Sequence, residues 1–249
     1  MMNAIRSEFR KLFTVRTTYV LSLLGLALSC FVSFWIEGYK LTGVDLANPN
    51  HYASVITDAL TSIPLIMASI VAILLMAHEY RYNTILYTLS SSNSRTKVLL
   101  SKLVAVSTYA LAMTVIIAAL SLAASALGVH LKGSHLVTQH IHYASLVWRA
   151  LFYGWSTVVS ALVIATIVRS QVGAIVTMFA IPTVELILSA LFKHNSVYLP
   201  FTGASNAILQ RGDPSHGTLS YAHAALVFGL YVLVGWVVGW ILFVKRDAN

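Results

Sequence analysis

The first residues in this chain that could do chemistry are His78 and Glu79, which begin as a zinc-protease helix would, His-Glu-x-x-His. Two histidines four apart share one helical face and can ligate zinc, while the glutamate between them acts as a base. The second histidine's position holds Tyr82, so the ligand pair is missing and the motif fails. His130, His135, His140 and His142 crowd a later polar segment, and imidazole suits copper and zinc. Their spacing matches no ligand motif, and no metal site is assigned to them. No GxxxxGK[ST] run is available to cradle ATP phosphates, and no serine or aspartate sits in an intramembrane-protease motif. The expectation is a chain without catalytic residues, resident cofactor or metal of its own.

Glu185 is the remaining candidate, three residues after Pro182 in a strongly apolar run. An ionisable group at such depth is costly and faces a cavity or a partner. Proline removes a backbone donor and loosens a helix, so a break beside a buried carboxylate is one expectation. On one reading Glu185 and Pro182 line a translocation path. On the other, Glu185 lies near the outer interface, bonded to Lys193 or to Tyr or Ser neighbours. Asp58 is read as a helix-terminal acid favoured by the helix dipole.

The elements that position these groups follow from composition. Of 249 residues 58% are hydrophobic and 10% charged, and the mean hydropathy is +0.79. Soluble domains carry about a quarter charged residues, so this is a membrane chain with room for one membrane domain. Its net charge of +8 fits basic flanks between spans, and no nucleic-acid partner is expected. A lone cysteine, Cys30, excludes an intrachain disulfide. Six apolar runs of spanning length lie at about 19–36, 59–77, 103–127, 150–168, 172–192 and 222–244. The first continues past Cys30 without a cleavage pattern and reads as an uncleaved helix. With the N-terminus inside, Arg6, Arg10, Lys11, Arg16, Arg81, Arg95, Lys97, Lys102, Arg169, Lys245 and Arg246 are cytoplasmic. Lys40, Lys132, Arg149, Lys193 and Arg211 are outside, so the bias of basic residues puts both termini in the cytoplasm.

The connections are unequal. Arg169-Ser170-Gln171 is so short that the fourth and fifth spans must form a tight hairpin. Between the fifth and sixth, Val197–Phe201 and Ala204–Leu209 are too apolar or small for a solvated loop, which predicts short re-entrant helices. At the N-terminus Ile5, Phe9, Leu12 and Phe13 fall at i, i+4, i+7 and i+8, the pattern of a short helix lying in the interface with its apolar side in lipid. Gly235-Trp-Val-Val-Gly239 is a small-xxx-small motif for close helix approach. Residues 77–102 form the one long polar run that is both basic and patterned like a helix. That combination suits a docking surface.

Taken together, SEFRKLFTVRTTYVL at the N-terminus, the six spans and HEYRYNTILYTL followed by SRTKVLLSKL resemble the permease subunit of a type-2 ATP-binding cassette (ABC) exporter. That family often shows an acid, a base and a Thr-Ile-x-x-Thr-Leu run after the second span, then Ser-Arg and a lysine opening the third. Here these are Glu79, Arg81, Thr84, Ile85, Thr88, Leu89, Ser94, Arg95 and Lys102. Asn83 replaces a common glycine, and asparagine tolerates the left-handed backbone such a turn needs.

The resemblance implies an all-α integral membrane fold. Its parts would be an interfacial N-terminal helix, a cytoplasmic coupling helix between spans two and three, and re-entrant helices between spans five and six. It implies that residues 77–102 dock on a separate ATPase subunit, which binds ATP and magnesium. Two permease copies, identical or different, would form the export path in the plasma or inner membrane. The competing classes are an ion- or proton-coupled secondary carrier, which needs several ionisable groups at mid-membrane, and a non-transporting membrane scaffold.

Overall fold

A backbone surrounded by apolar side chains must satisfy its own hydrogen bonds, and a helix does so within one segment. The structure, a computed structural model, describes residues 2–41, 51–92, 94–134, 143–209 and 219–245, and among them there is no strand. Helix α1 spans Met2–Thr14, and α2, Arg16–Phe34, runs on through a π-helical turn to Tyr39. Helices α3, His51–Thr61, and α4, Ile63–Arg81, are separated by a break at Ser62, with Pro64 in the first turn of α4. A short α5, Ile85–Ser92, precedes the long α6, Arg95–Leu131. Helices α7, Tyr143–Val168, and α8, Gln171–Phe192, come next. The chain then passes through short turns at Lys193–Tyr198 and Pro200–Ala204 into α9, Ser205–Ile208, and α10, Tyr221–Lys245.

Six helical stretches are long and apolar enough to cross a membrane: Arg16–Tyr39, His51–Arg81, Arg95–Leu131, Leu146–Val168, Gln171–Phe192 and Tyr221–Lys245. The number agrees with the sequence reading. The second and third run beyond it, because helix continues past the apolar core into polar flanks at 51–58 and 95–102. Asp58 consequently lies in the last turn of α3, short of the break, and not at the start of a span.

Helices α4 and α7 form the centre, packed on each other and on α2, α6 and α10. Ala68, Ala72, Ile73, Met76, Leu162 and Ala165 are fully buried between them and their neighbours. Small residues set how closely the helices approach. A Cβ on Gly128 of α6 would meet the Phe34 carbonyl oxygen at 2.5 Å and Gly38 Cα at 2.9 Å, so α2 and α6 touch backbone to backbone there. Gly235 packs on Val163 and Gly239 lies beside Thr166, so the small-xxx-small motif of α10 is used within the chain, against α7. Buried hydroxyls bridge helices as well, as in Ser29 to Ser121 at 2.9 Å.

By contrast α8 is largely unpacked, and Val172, Val176, Leu186, Ile187 and Leu191 lie exposed along it. The hairpin before it is as tight as expected. Arg169 takes a left-handed φ of +57°, and Ser170 caps α8 by accepting from the Gly173 N–H at 3.3 Å. Helix α8 continues through Pro182, so the expected break is absent.

Candidate functional site: a buried ionic quartet at the basic end

Helix α1 is amphipathic, and the stripe it buries is more than apolar. Ile5, Glu8, Phe9 and Leu12 follow one another at i, i+3, i+4 and i+7, and Leu12 (3% exposed) and Glu8 (1%) are both buried against the bundle. The face expected to lie in lipid is therefore partly turned into protein, although Phe13 remains exposed. Glu8 meets Lys102 of α6, Lys102 also meets Glu79 of α4, and Lys11 reaches across to both carboxylates from the edge of α1.

The four charges bond reciprocally. Lys102 Nζ donates to Glu8 Oε2 at 2.9 Å, to Glu79 Oε1 at 2.7 Å and to the Leu75 carbonyl at 3.2 Å, which uses all three of its N–H groups. Lys11 Nζ donates to Glu8 Oε1 at 2.7 Å and to Glu79 Oε1 at 2.5 Å. Two carboxylates and two ammoniums balance, so a charge-neutral unit ties α1, α4 and α6 together. Burial by itself would lower the Lys11 pKa, but the Glu79 and Glu8 carboxylates outweigh it and hold the ammonium above its ordinary 10.5. Glu79 Oε2 is buried and has no hydrogen-bond partner among the described residues. Beside it opens a cavity of about 420 Å³, walled by Lys11, Thr18, Val71, Leu74, Glu79 and Tyr87 among others.

Around the quartet the other residues of the 77–102 stretch take distinct places. Tyr82 ends α4, and Asn83 adopts the left-handed φ of +54° that its glycine-like position requires. Ile85 (1% exposed) pins α5 to the bundle and Leu89 packs partly beneath it, while Leu86 (52%) and Tyr87 (77%) face outward. Thr84 is exposed and Thr88 half-buried, with the Thr88 hydroxyl on the Thr84 carbonyl. Arg81 donates to Gln171 Oε1 at 3.1 Å, and Arg95 to the Val244 carbonyl at 3.0 Å, so both tie this end to the last helices. Ser94 is half-buried and directly precedes α6. Glu79, read from sequence as a charge displayed to a partner, instead spends its carboxylate inside the protein.

Glu185 is buried at the other end of α8. Its Oε2 accepts from the Phe201 N–H at 2.8 Å, the Thr202 N–H at 2.9 Å and the Thr202 hydroxyl at 3.2 Å. These are the free donors at the start of the short helical run 200–208, which the carboxylate caps. The expected partners at Lys193, Tyr or Ser are replaced by this backbone. Pro182 is half-buried on the same helix. Among the described residues no group of three or more His, Cys, Asp or Glu is placed to hold a metal. His130 is described; His135, His140 and His142 lie outside the described residues.

Sequence reasoning missed Glu8 and the role of Lys11. The signal was present: Glu8 falls on the apolar stripe of α1, where a carboxylate is out of place unless something basic meets it. A family described as proteins of unknown function, DUF2705, matches residues 29–248. The chain belongs to that family. No curated protein matches the chain. The matched range takes in Glu79, Lys102 and Glu185, while Glu8 and Lys11 precede it.

Proposed function

We propose that this DUF2705 protein is the membrane-spanning subunit of an ATP-driven exporter of the ABC type, working with a separate ATPase subunit that docks at its basic end. The observation that carries this reading is α5. It is a short helix held to the bundle by Ile85 while Leu86 and Tyr87 stand exposed, between two spans and amid Arg81, Arg95 and Lys97. Such a knob fits a groove on a partner as an amphipathic helix does, with apolar anchors at the centre and charges at the rim.

The quartet supports the same reading mechanically. A push on α5 acts at the junction of α4 and α6, and Glu8, Lys11, Glu79 and Lys102 bind α1 rigidly to both. A displacement at the docking face thus moves three elements as one body, the condition for transmitting a nucleotide-driven motion to the spans. In this assembly both termini and α5 are cytoplasmic, the run 200–208 re-enters the outer leaflet, and two permease copies enclose the path. ATP and magnesium are bound by the partner, and the location is the plasma or inner membrane. Glu185 bears against the carrier alternative, since its Oε2 is engaged by three donors of its own chain.

The test is copurification of the ATPase subunit from native membranes with the chain and with a Leu86→Asp/Tyr87→Asp variant. The variant is expected to lose the subunit and its coupled ATP hydrolysis while keeping its own thermal stability, because both side chains are exposed. Full retention of the partner by the variant, or no ATPase recovered with the unaltered chain, would sink the proposal. Charge reversal at Glu79 is a poor test, because it would disrupt the quartet whether or not a partner docks nearby.

A further inference from the structure

We propose that the cavity beside the quartet is a lipid site that takes the headgroup of a phospholipid carrying a primary ammonium. Two independent observations converge on it. The first is the cavity, about 420 Å³, lined by Val71, Leu74, Leu75, His78 and Glu79 of α4 and by Lys11 and Thr18 from α1 and α2. That size and a mostly apolar lining with a few polar groups are ordinary for a site holding part of an amphiphile. The second is the Glu79 carboxylate, 5% exposed, which lines the cavity and leaves Oε2 without a hydrogen-bond partner among the described residues. A buried carboxylate oxygen lacking a donor is costly, and the group that best relieves it is a cationic N–H.

The sign and shape of the ligand follow from the rest of the cavity. Glu8, Lys11, Glu79 and Lys102 neutralise one another, so the site offers no excess positive charge to an anionic headgroup. It offers both signs at short range. Glu79 Oε2 accepts, and Lys11 Nζ, with two N–H groups on carboxylates, has a third to give. A zwitterionic head matches that pair, its ammonium on Glu79 and its phosphate on Lys11 and the Thr18 hydroxyl. A trimethylated ammonium has no N–H and cannot make the first bond. The acyl chain then lies along Val71 and Leu74 of α4, a span whose direction is that of the lipid itself. The site belongs to this chain alone and does not depend on a docked ATPase.

The experiment uses the full chain in nanodiscs of phosphatidylcholine doped with phosphatidylethanolamine or phosphatidylglycerol, with retained lipid counted by native mass spectrometry. Phosphatidylethanolamine is expected to be retained about tenfold over phosphatidylcholine, the worth of one charge-assisted hydrogen bond. Thr18→Trp, which fills the cavity from a residue that is not one of the quartet, is expected to abolish the preference. Thr84→Trp fills it from an exposed lining position and gives the same reading if the first variant folds poorly. Equal retention of the two zwitterionic lipids, a preference for phosphatidylglycerol, or a preference that survives a folded filling variant would overturn the site.

Discussion

At the scale of single residues, the quartet is held by balance. Moving a lysine and two glutamates out of water costs several kcal/mol per ion, and reciprocal bonding offsets that only while every partner is present. Lys102, fully buried with all three N–H groups used, is the keystone. Lys102→Met leaves two buried carboxylates facing each other with Lys11 alone, and is expected to destabilise the chain by about 3–5 kcal/mol. Thermal unfolding in detergent checks this, and Glu8→Gln added to Lys102→Met should recover part of the loss by removing one orphaned charge. Lys11 adds a pH dependence. Its folded-state pKa is raised above 10.5, so its contribution is fully present below that value and is lost as pH rises through the folded one. The difference in melting temperature between the unaltered chain and Lys11→Met should be constant at neutral pH and shrink only at strongly alkaline pH.

At the scale of elements, two polar devices fix pieces that packing alone would leave loose. The run 200–208 is too short to be a stable helix by itself. It is held by Glu185 at its start and by close backbone contact at Gly203, where a Cβ would meet the Ser196 carbonyl oxygen at 2.2 Å. Glu185→Ala should cost about 2–3 kcal/mol locally, seen as faster amide exchange over 199–209 with little change in the spans. Glu185→Gln keeps an acceptor and should show a smaller effect. Exchange at 199–209 that is the same in Glu185→Ala as in the unaltered chain would remove the capping role. The turn at Asn83 and the hairpin at Arg169 were readable beforehand from residue type and loop length. The capping partnership was not, because Phe201 and Thr202 donate through their backbone and carry no side-chain signature for it.

At the scale of the molecule, most of the described basic residues gather at one end, with α1, α5 and the starts of α6 and α8, while Lys40, Lys132, Arg149 and Lys193 lie with Glu185 and its capped run toward the other. If that end is the docking end, introducing Asp at Leu86 and Tyr87 separates partner binding from folding, whereas Lys102→Met removes both. The contrast between the two variants is itself a prediction, measured as ATPase recovery normalised to folded chain. The exposed rows of α2, α8 and α10 are among the surfaces available to lipid or to a second copy.

The sequence by itself determined the class. Six runs too apolar for water must become helices that satisfy their own backbone, and the short 169–171 link and the bulk of the spans follow from length and hydropathy. It also marked Glu185 as a charge in a costly place, and Glu79 and Lys102 as charges of the polar run 77–102. Only the tertiary structure decided what they do. Residues 8, 11, 79 and 102 lie on three different helices, and pairing across them is set by how α1 folds back on the bundle, which no periodicity within one helix encodes. A charge beside a membrane span reads the same from sequence whether it faces water, a partner or another charge. Desolvation separates those cases, and desolvation exists only once the helices have packed.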